Sequence, residues 1–507
     1  MFEGHPKGLW ALALANTGER FGYYTMLAVF LFFLQDNFGF SMGTSSSIQA
    51  AFLGVVYFVP LFGGMLADKF GFGKMVTIGI LVMFMGYLLL SLPLGAGYIA
   101  LGVMALALLF ICVGTGLFKG NLQVLVGNLY DDPKYSAKRD EGFSIFYMAI
   151  NLGSMFAAAA ALGIMAYMQE NHAVSKADSY HFAFAVACVS LIVSIAIYYA
   201  FRGTFAHADR AKAVAANASE STEEQLTPAQ TKERIVCLCL VFAVVIFFWM
   251  AFHQNGITMN QFAREYTATS DSGVSSLMFN VFNLVLAIIA VYGFLNIFQS
   301  KTAKGKIIAA AMFLASGGWL VYKAMNVTGS VAVEAPIFQQ FNPCFVVALT
   351  PIVMLVFTTL AKKGVEPSSP MKIGLGMLVA AMAFVILLVG SWGLPVQEEQ
   401  LANIAAGTAT LVSPNWLIST YFVLTIAELL LSPIGISFVS KVAPPQYKGM
   451  MMGGWLVATA IGNFLISIPG LLWGMELYIV WGVLIAVCLV SALFIFTILK
   501  RLEQVAK

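Results

Sequence analysis

Apolar residues arrive in this chain in long blocks separated by short polar loops. Blocks of roughly 20 apolar residues are what an α-helix needs to cross the hydrocarbon of a bilayer. The spanning element must be helical, because each backbone polar group has to find its partner within the lipid. Of 507 residues, 60% are hydrophobic and 10% charged, far too little charge for a water-soluble domain. The expected class is an all-α membrane protein.

Membrane helices are predicted near 8–34, 46–67, 75–96, 99–129, 143–168 and 181–201, then near 235–262, 276–298, 306–325, 338–361, 371–391, 415–440, 449–473 and 477–500. Between the two sets lies 202–234, rich in Ala, Ser, Glu and Gln and poor in large apolar residues, the composition of a solvated linker. The sequence therefore divides into an amino-terminal six-helix bundle (1–201), a cytoplasmic linker (202–234) and a carboxy-terminal bundle (235–507) with an inserted hairpin at about 276–325.

Loop charge supports this division. Lys69 and Lys74, then Lys134, Lys138 and Arg139, then Arg202, Arg210, Lys212, Lys232 and Arg234 fall in alternate loops. Lys301, Lys304 and Lys306, then Lys362 and Lys363, then Lys441 and Lys448, then Lys500 and Arg501 continue the alternation. The intervening loops hold almost no Lys or Arg, with Lys176 as the main exception. The positive-inside rule then puts both termini in the cytoplasm of a cell-membrane, multi-pass protein. Charges near the start argue against a cleaved secretory signal.

Other function classes find little support. The net charge of +3 suggests no nucleic-acid partner. The six cysteines (112, 188, 237, 239, 344 and 488) sit in apolar segments and read as small buried hydrophobes. No HExxH, paired metal-ligand spacing or GxSxG elbow is present, so no enzyme, metal or other cofactor is expected.

Few ionisable groups lie well inside the predicted spans: Glu19, Arg20, Lys119, His253 and Glu428. Each costs about 2–3 kcal/mol or more at the bilayer centre unless paired or wet, and is by default a functional candidate. Arg20 and Lys119 put positive charge in the first bundle, and Glu428 puts a carboxylate in the second. A small zwitterion lying across a central cavity would meet cations at its carboxylate and an anion at its amino end. Arg can grip a carboxylate through two hydrogen bonds, while Lys acts as a movable point charge. A dry environment favours a neutral carboxyl and a nearby cation favours a charged one, and alternation between those influences suits a proton-coupled cycle. Glu19 with Tyr23 and Arg20 with Tyr24 share helix faces at i, i+4.

Particular segments carry a family resemblance. GGMLADKFGFGK (63–74) resembles the loop signature of the major facilitator superfamily. NTGERFGYY (16–24), GTGLFKGNLQVLVGNLY (114–130), FYMAINLGS (146–154), FFWMAFHQNG (247–256), FQQFNP (338–343), WLISTYFVLTIAELLLSPIG (416–435) and KVAPPQYKGMMMGGWLVATAIGN (441–463) resemble, in order, motifs of the proton-dependent oligopeptide transporters within that superfamily. The resemblance implies a major facilitator fold, two six-helix bundles plus an extra hairpin. It implies alternating-access symport of di- and tripeptides with protons, driven by the proton gradient, by a working monomer. Carried over residue by residue, it gives Arg20 and Lys119 to the peptide carboxylate and to Glu19, and Asn151, Asn342 and Glu428 to the peptide amino group. Tyr23, Tyr24, Tyr57, Trp249 and Trp455 would line side-chain pockets. Proton coupling would involve Glu19, Arg20, Lys119, His253 and Glu428.

The departures are local. Asn16 stands where the family usually has the first Glu of its motif, Leu27 where many bacterial members have an Arg, and His253 where they have a Glu. The last two normally form a cross-bundle ion pair, and changing both avoids stranding one buried charge. His253 is open to a role in proton coupling, in an altered outer gate, or as a neutral hydrogen-bonded core residue. Bacterial relatives often carry two extra helices between the sixth and seventh; here 202–234 is too short for them, and a pair follows the seventh instead. A carrier for another small solute and a peptide sensor that moves no cargo are the alternatives.

Overall fold

A computed structural model describes residues 4–209, 226–444 and 447–506, so much of the predicted linker lies outside the described residues. The helices are α1 (Lys7–Phe38), α2 (Met42–Phe58), α3 (Pro60–Phe70), α4 (Phe72–Leu90), α5 (Tyr98–Asn128), α6 (Arg139–His172), α7 (Lys176–Ala200), α8 (Pro228–Phe252) and α9 (Thr258–Glu265). They continue as α10 (Val281–Gln299), α11 (Ala303–Met325), α12 (Phe341–Lys362), α13 (Ser369–Gly390), α14 (Gln397–Ala406), α15 (Asn415–Val442), α16 (Lys448–Leu465), α17 (Ser467–Leu471) and α18 (Leu477–Ala506). Among the described residues, 13 helical segments are long and apolar enough to span a membrane. The 32-residue α1, which carries Glu19 and Arg20, completes the predicted fourteen.

Two spans contain breaks that apolar patterning does not show. Pro60 lacks an amide proton and opens α3 directly after α2, dividing the span Met42–Phe70 beside Tyr57. The span Pro228–Glu265 leaves α-helical geometry in a 3-10 turn at His253–Gly256 before resuming as α9. Such an interruption re-aims side chains within the membrane. At its other end, α8 starts with a capping box: the Thr227 hydroxyl accepts from the Gln230 amide, and the Gln230 side chain accepts from the Thr227 amide.

The chain forms two compact units. One comprises Met1–His253, Ile436–Leu471 and Lys500–Lys507. Within it α1 packs on α6 and α7, α4 on α5, and α16 on both α2 and α8. Glycines set the closest approach. A Cβ on Gly79 would lie 2.7 Å from the Gly114 carbonyl oxygen, and one on Gly114 would lie 2.6 Å from that of Gly79. Small residues at such crossings let membrane helices meet without a hydrophobic drive between them.

The other unit comprises Gln254–Gly435 and Leu472–Leu499. Its α10 and α11 pair with each other, and α10 also touches α12. Only Val281, Asn283, Leu284 and Gly293 of α10, and Ala309 and Ser316 of α11, are buried. The hairpin is thus peripheral to its unit. Strands β1 (Ser270–Ser272) and β2 (Ser330–Ala332) pair antiparallel, and α14 is a further short element read from the sequence as loop.

Candidate functional site

On α1, Glu19 and Arg20 are 0% and 3% exposed. Arg20 Nε donates to Glu19 Oε2 and Arg20 Nη2 to Glu19 Oε1, each at 2.5 Å. The two-pronged geometry neutralises both charges in place, which is what their burial requires. The guanidinium lies 4.7 Å from the centre of the Tyr23 ring, so Arg20 sits over the i+3 neighbour and not only near the expected Tyr24. Tyr23 meets Tyr24 edge-on at 5.2 Å and stacks on Phe52 of α2. One turn earlier Asn16 is buried, with its amide nitrogen lacking a partner among the described residues.

Lys119 of α5 does not pair with Glu19 among the described ion pairs. Its ammonium lies 4.3 Å from the centre of the Tyr57 ring, held by the negative face of the π system. On the same unit, Tyr57 is 6.3 Å from the His253 ring, and Trp249 stacks on that ring at 5.0 Å and 23°. His253 Nδ1 is 2.6 Å from Asn463 Oδ1, and Asn463 Nδ2 donates to the Leu53 carbonyl at 3.4 Å. The sequence motif that ends at Asn463 drew no role for it, because a neutral amide does not stand out in an apolar segment as a charge does.

The remaining predicted residues of this unit are less engaged. Asn151 is 8% exposed and donates to the Tyr147 carbonyl of its own helix. Trp455 is buried at 4% exposure on α16. Leu27 is half-buried on α1 and brings no charge towards His253.

In the other unit, Asn342 Nδ2 donates to Glu428 Oε2 at 2.9 Å and to Thr425 Oγ1 at 3.1 Å. Glu428 is 7% exposed in the 28-residue α15 and has no ion pair among the described residues. Thr425 was not anticipated, although its i, i+3 spacing from Glu428 puts it on the same helix face. A buried carboxylate receiving one neutral amide still has acceptor capacity for an ammonium or a proton.

A second buried acid was also missed. Glu265 at the end of α9 accepts from Gln261 Nε2 at 2.6 Å, Gln397 Nε2 at 2.8 Å and Trp473 Nε1 at 2.8 Å. It ties α9 to α14 and to the segment before α18. Among the described residues, no group of three His, Cys, Asp or Glu side chains could hold a metal ion.

Residues 73–222 and 316–469 match the family model described as the POT family. The chain is 28% identical over 490 residues to the peptide transporter YePEPT of Yersinia enterocolitica, covering 92% of this chain and 88% of that protein. It is 28% identical over 484 residues to the uncharacterized transporter YclF of Bacillus subtilis, covering 90% of this chain and 86% of that one. A crystal structure of a peptide transporter POT in complex with sulfate superposes with a TM-score of 0.73 at 22% identity, covering 100% of this chain and 96% of that one. At that identity the likeness shows the shared fold.

Proposed function

The chain belongs to the POT family, and on that premise we propose that it is a proton-coupled symporter of di- and tripeptides working by alternating access. It is a multi-pass membrane transporter and not an enzyme. The observation that carries the reading is Glu428: a carboxylate buried in a membrane helix, held by the neutral Asn342 and free of a counter-ion among the described residues. Leaving a carboxylate unpaired there is costly, and a peptide ammonium or a proton offsets that cost.

Arg20 and Lys119 take the peptide carboxylate, with Glu19 as the resident partner that Arg20 exchanges for it. Glu428, Asn342 and Asn151 take the amino end. Tyr23, Tyr24, Tyr57, Trp249 and Trp455 contact the side chains. Glu19, Arg20, Lys119, His253 and Glu428 carry the proton coupling, with the proton gradient as driving force. The moving halves are 1–201 and 235–507, joined by the cytoplasmic stretch 202–234; both termini are cytoplasmic and the monomer is the working unit.

The test is uptake of labelled dialanine into liposomes holding the purified protein, with and without an inward proton gradient. Gradient-driven accumulation, lost in Glu428→Gln, is the expected result. Uptake indifferent to the gradient would make the chain a facilitator. Absence of di- and tripeptide uptake by folded protein would overturn the peptide assignment.

A further inference from the structure

We propose that Asn463 is a positioning residue that holds His253 as the Nδ1–H tautomer, so that the proton carried in transport enters and leaves at His253 Nε2. This rests on the symporter reading, in which His253 carries a proton, and adds the atom and the residue that selects it.

The argument starts from the Leu53 carbonyl. It can only accept a hydrogen bond, so the Asn463 amide group that faces it is the NH2. The contact is long at 3.4 Å, but it sets the orientation of the planar amide. The amide oxygen is thereby turned towards the imidazole, at 2.6 Å from Nδ1. An amide oxygen has no hydrogen to give, so Nδ1 must carry one. In the neutral ring the lone pair then resides on Nε2, since one nitrogen is donor and the other acceptor. Asn463 is fully buried, which keeps water from substituting for the Leu53 carbonyl.

The surroundings suit a ring that alternates between neutral and charged. Trp249 lies nearly parallel to the imidazole at 5.0 Å, and an indole face attracts a cation. Tyr57 of α2, at 6.3 Å, is the titratable group that faces it from that helix. Lys119 of α5 is the charged group, its ammonium held on the Tyr57 ring. Among the described residues, α16 brings the Asn463 amide to the ring, and α8 brings Trp249 and Phe252. The Tyr57 ring therefore adjoins both the Lys119 ammonium and the imidazole. Like charges on the two disfavour each other, so a proton on Nε2 is felt at Lys119. The 3-10 turn at His253–Gly256 gives the ring an attachment that is not rigid α-helix.

The experiment reads nitrogen-15 NMR of histidine-labelled protein in lipid nanodiscs, with the His253 resonances assigned by difference against His253→Gln. The wild-type neutral ring is expected in the Nδ1–H form, and Asn463→Leu is expected to redistribute it towards Nε2–H. In liposomes, Asn463→Asp places a negative charge against Nδ1–H and favours the imidazolium. The pH midpoint of gradient-driven dialanine uptake then moves to higher pH, by roughly one unit. A wild-type ring protonated on Nε2, or an Asn463→Asp profile that superimposes on the wild type, would overturn the proposal. Dialanine counterflow without a proton gradient separates the two readings. Its absence in wild-type protein removes the peptide symporter and leaves the tautomer measurement standing as its own result.

Discussion

The Asn342 amide spans Glu428 and Thr425, donating to the carboxylate at 2.9 Å and the hydroxyl at 3.1 Å. Thr425 is itself anchored, since its hydroxyl donates to the Tyr421 carbonyl at 2.7 Å. The carboxylate is thus oriented by a group that cannot neutralise it. Asn342→Leu removes that donor and leaves a charged acceptor with one bond fewer, a loss of about 1.5–3 kcal/mol for a hydrogen bond to a charged group. The expected outcome is a KM for dialanine raised by an order of magnitude or more, with Asn342→Gln partly restoring it. Equal uptake kinetics for Asn342→Leu and wild type would show that the amide does not orient Glu428 for substrate.

The Glu19–Arg20 pair makes an opposite use of burial. Each charge is satisfied by the other, so removing one strands its partner in the membrane interior at a cost of about 3–5 kcal/mol. Glu19→Gln and Arg20→Gln are each expected to lower the thermal unfolding midpoint in detergent, and the double variant to lower it by less than the sum. Additive losses in that double-mutant cycle would show the pair is not energetically coupled.

Much of this was legible from the sequence because the bilayer leaves few choices. The run predicted as a helix over 415–440 is α15, Asn415–Val442, and that predicted over 371–391 is α13, Ser369–Gly390. Intramembrane charges stood out for the same reason, since each must be justified against its transfer cost. What escaped is what carries no such cost. The Pro60 break and the turn at His253–Gly256 leave mean hydropathy intact, and amphipathic α14 is too short and polar to register as a span. Asn463 and Thr425 are neutral, and only folding shows that they face His253 and Asn342. Glu265 lies just beyond the predicted span 235–262 and so does not count among the intramembrane charges; the structure buries it under three donors.

Glu265 supplies a prediction that separates stability from transport. Its three donors come from α9, α14 and the segment carrying Trp473, so the carboxylate closes a junction and no substrate role is assigned to it. Glu265→Ala leaves the side chains of Gln261, Gln397 and Trp473 without their acceptor, at about 1–3 kcal/mol for each group that stays buried and unsatisfied. A lower unfolding midpoint is expected, with Glu265→Gln milder because one carbonyl oxygen remains. Thermal scans in one detergent check this, and an unchanged midpoint in Glu265→Ala would remove the junction's structural role.

Tyr57 offers the sharpest test of the charge arrangement, because its ring and its hydroxyl can be removed separately. The ring carries the Lys119 ammonium at 4.3 Å, an attraction worth about 2 kcal/mol when desolvated. Tyr57→Phe keeps the aromatic face and is expected to hold Lys119 in place, with dialanine uptake nearer the wild-type rate than that of Tyr57→Leu. Tyr57→Leu removes the face, releases the ammonium from its resting contact and eases the approach of the two cationic sites, Lys119 and protonated His253. Loss of a 2 kcal/mol contact corresponds to roughly a 30-fold change in an equilibrium constant, so the KM of Tyr57→Leu should differ from that of Tyr57→Phe by up to about that factor. A Tyr57→Leu variant that matches Tyr57→Phe would show that the ring merely packs, and that Lys119 is set by other contacts.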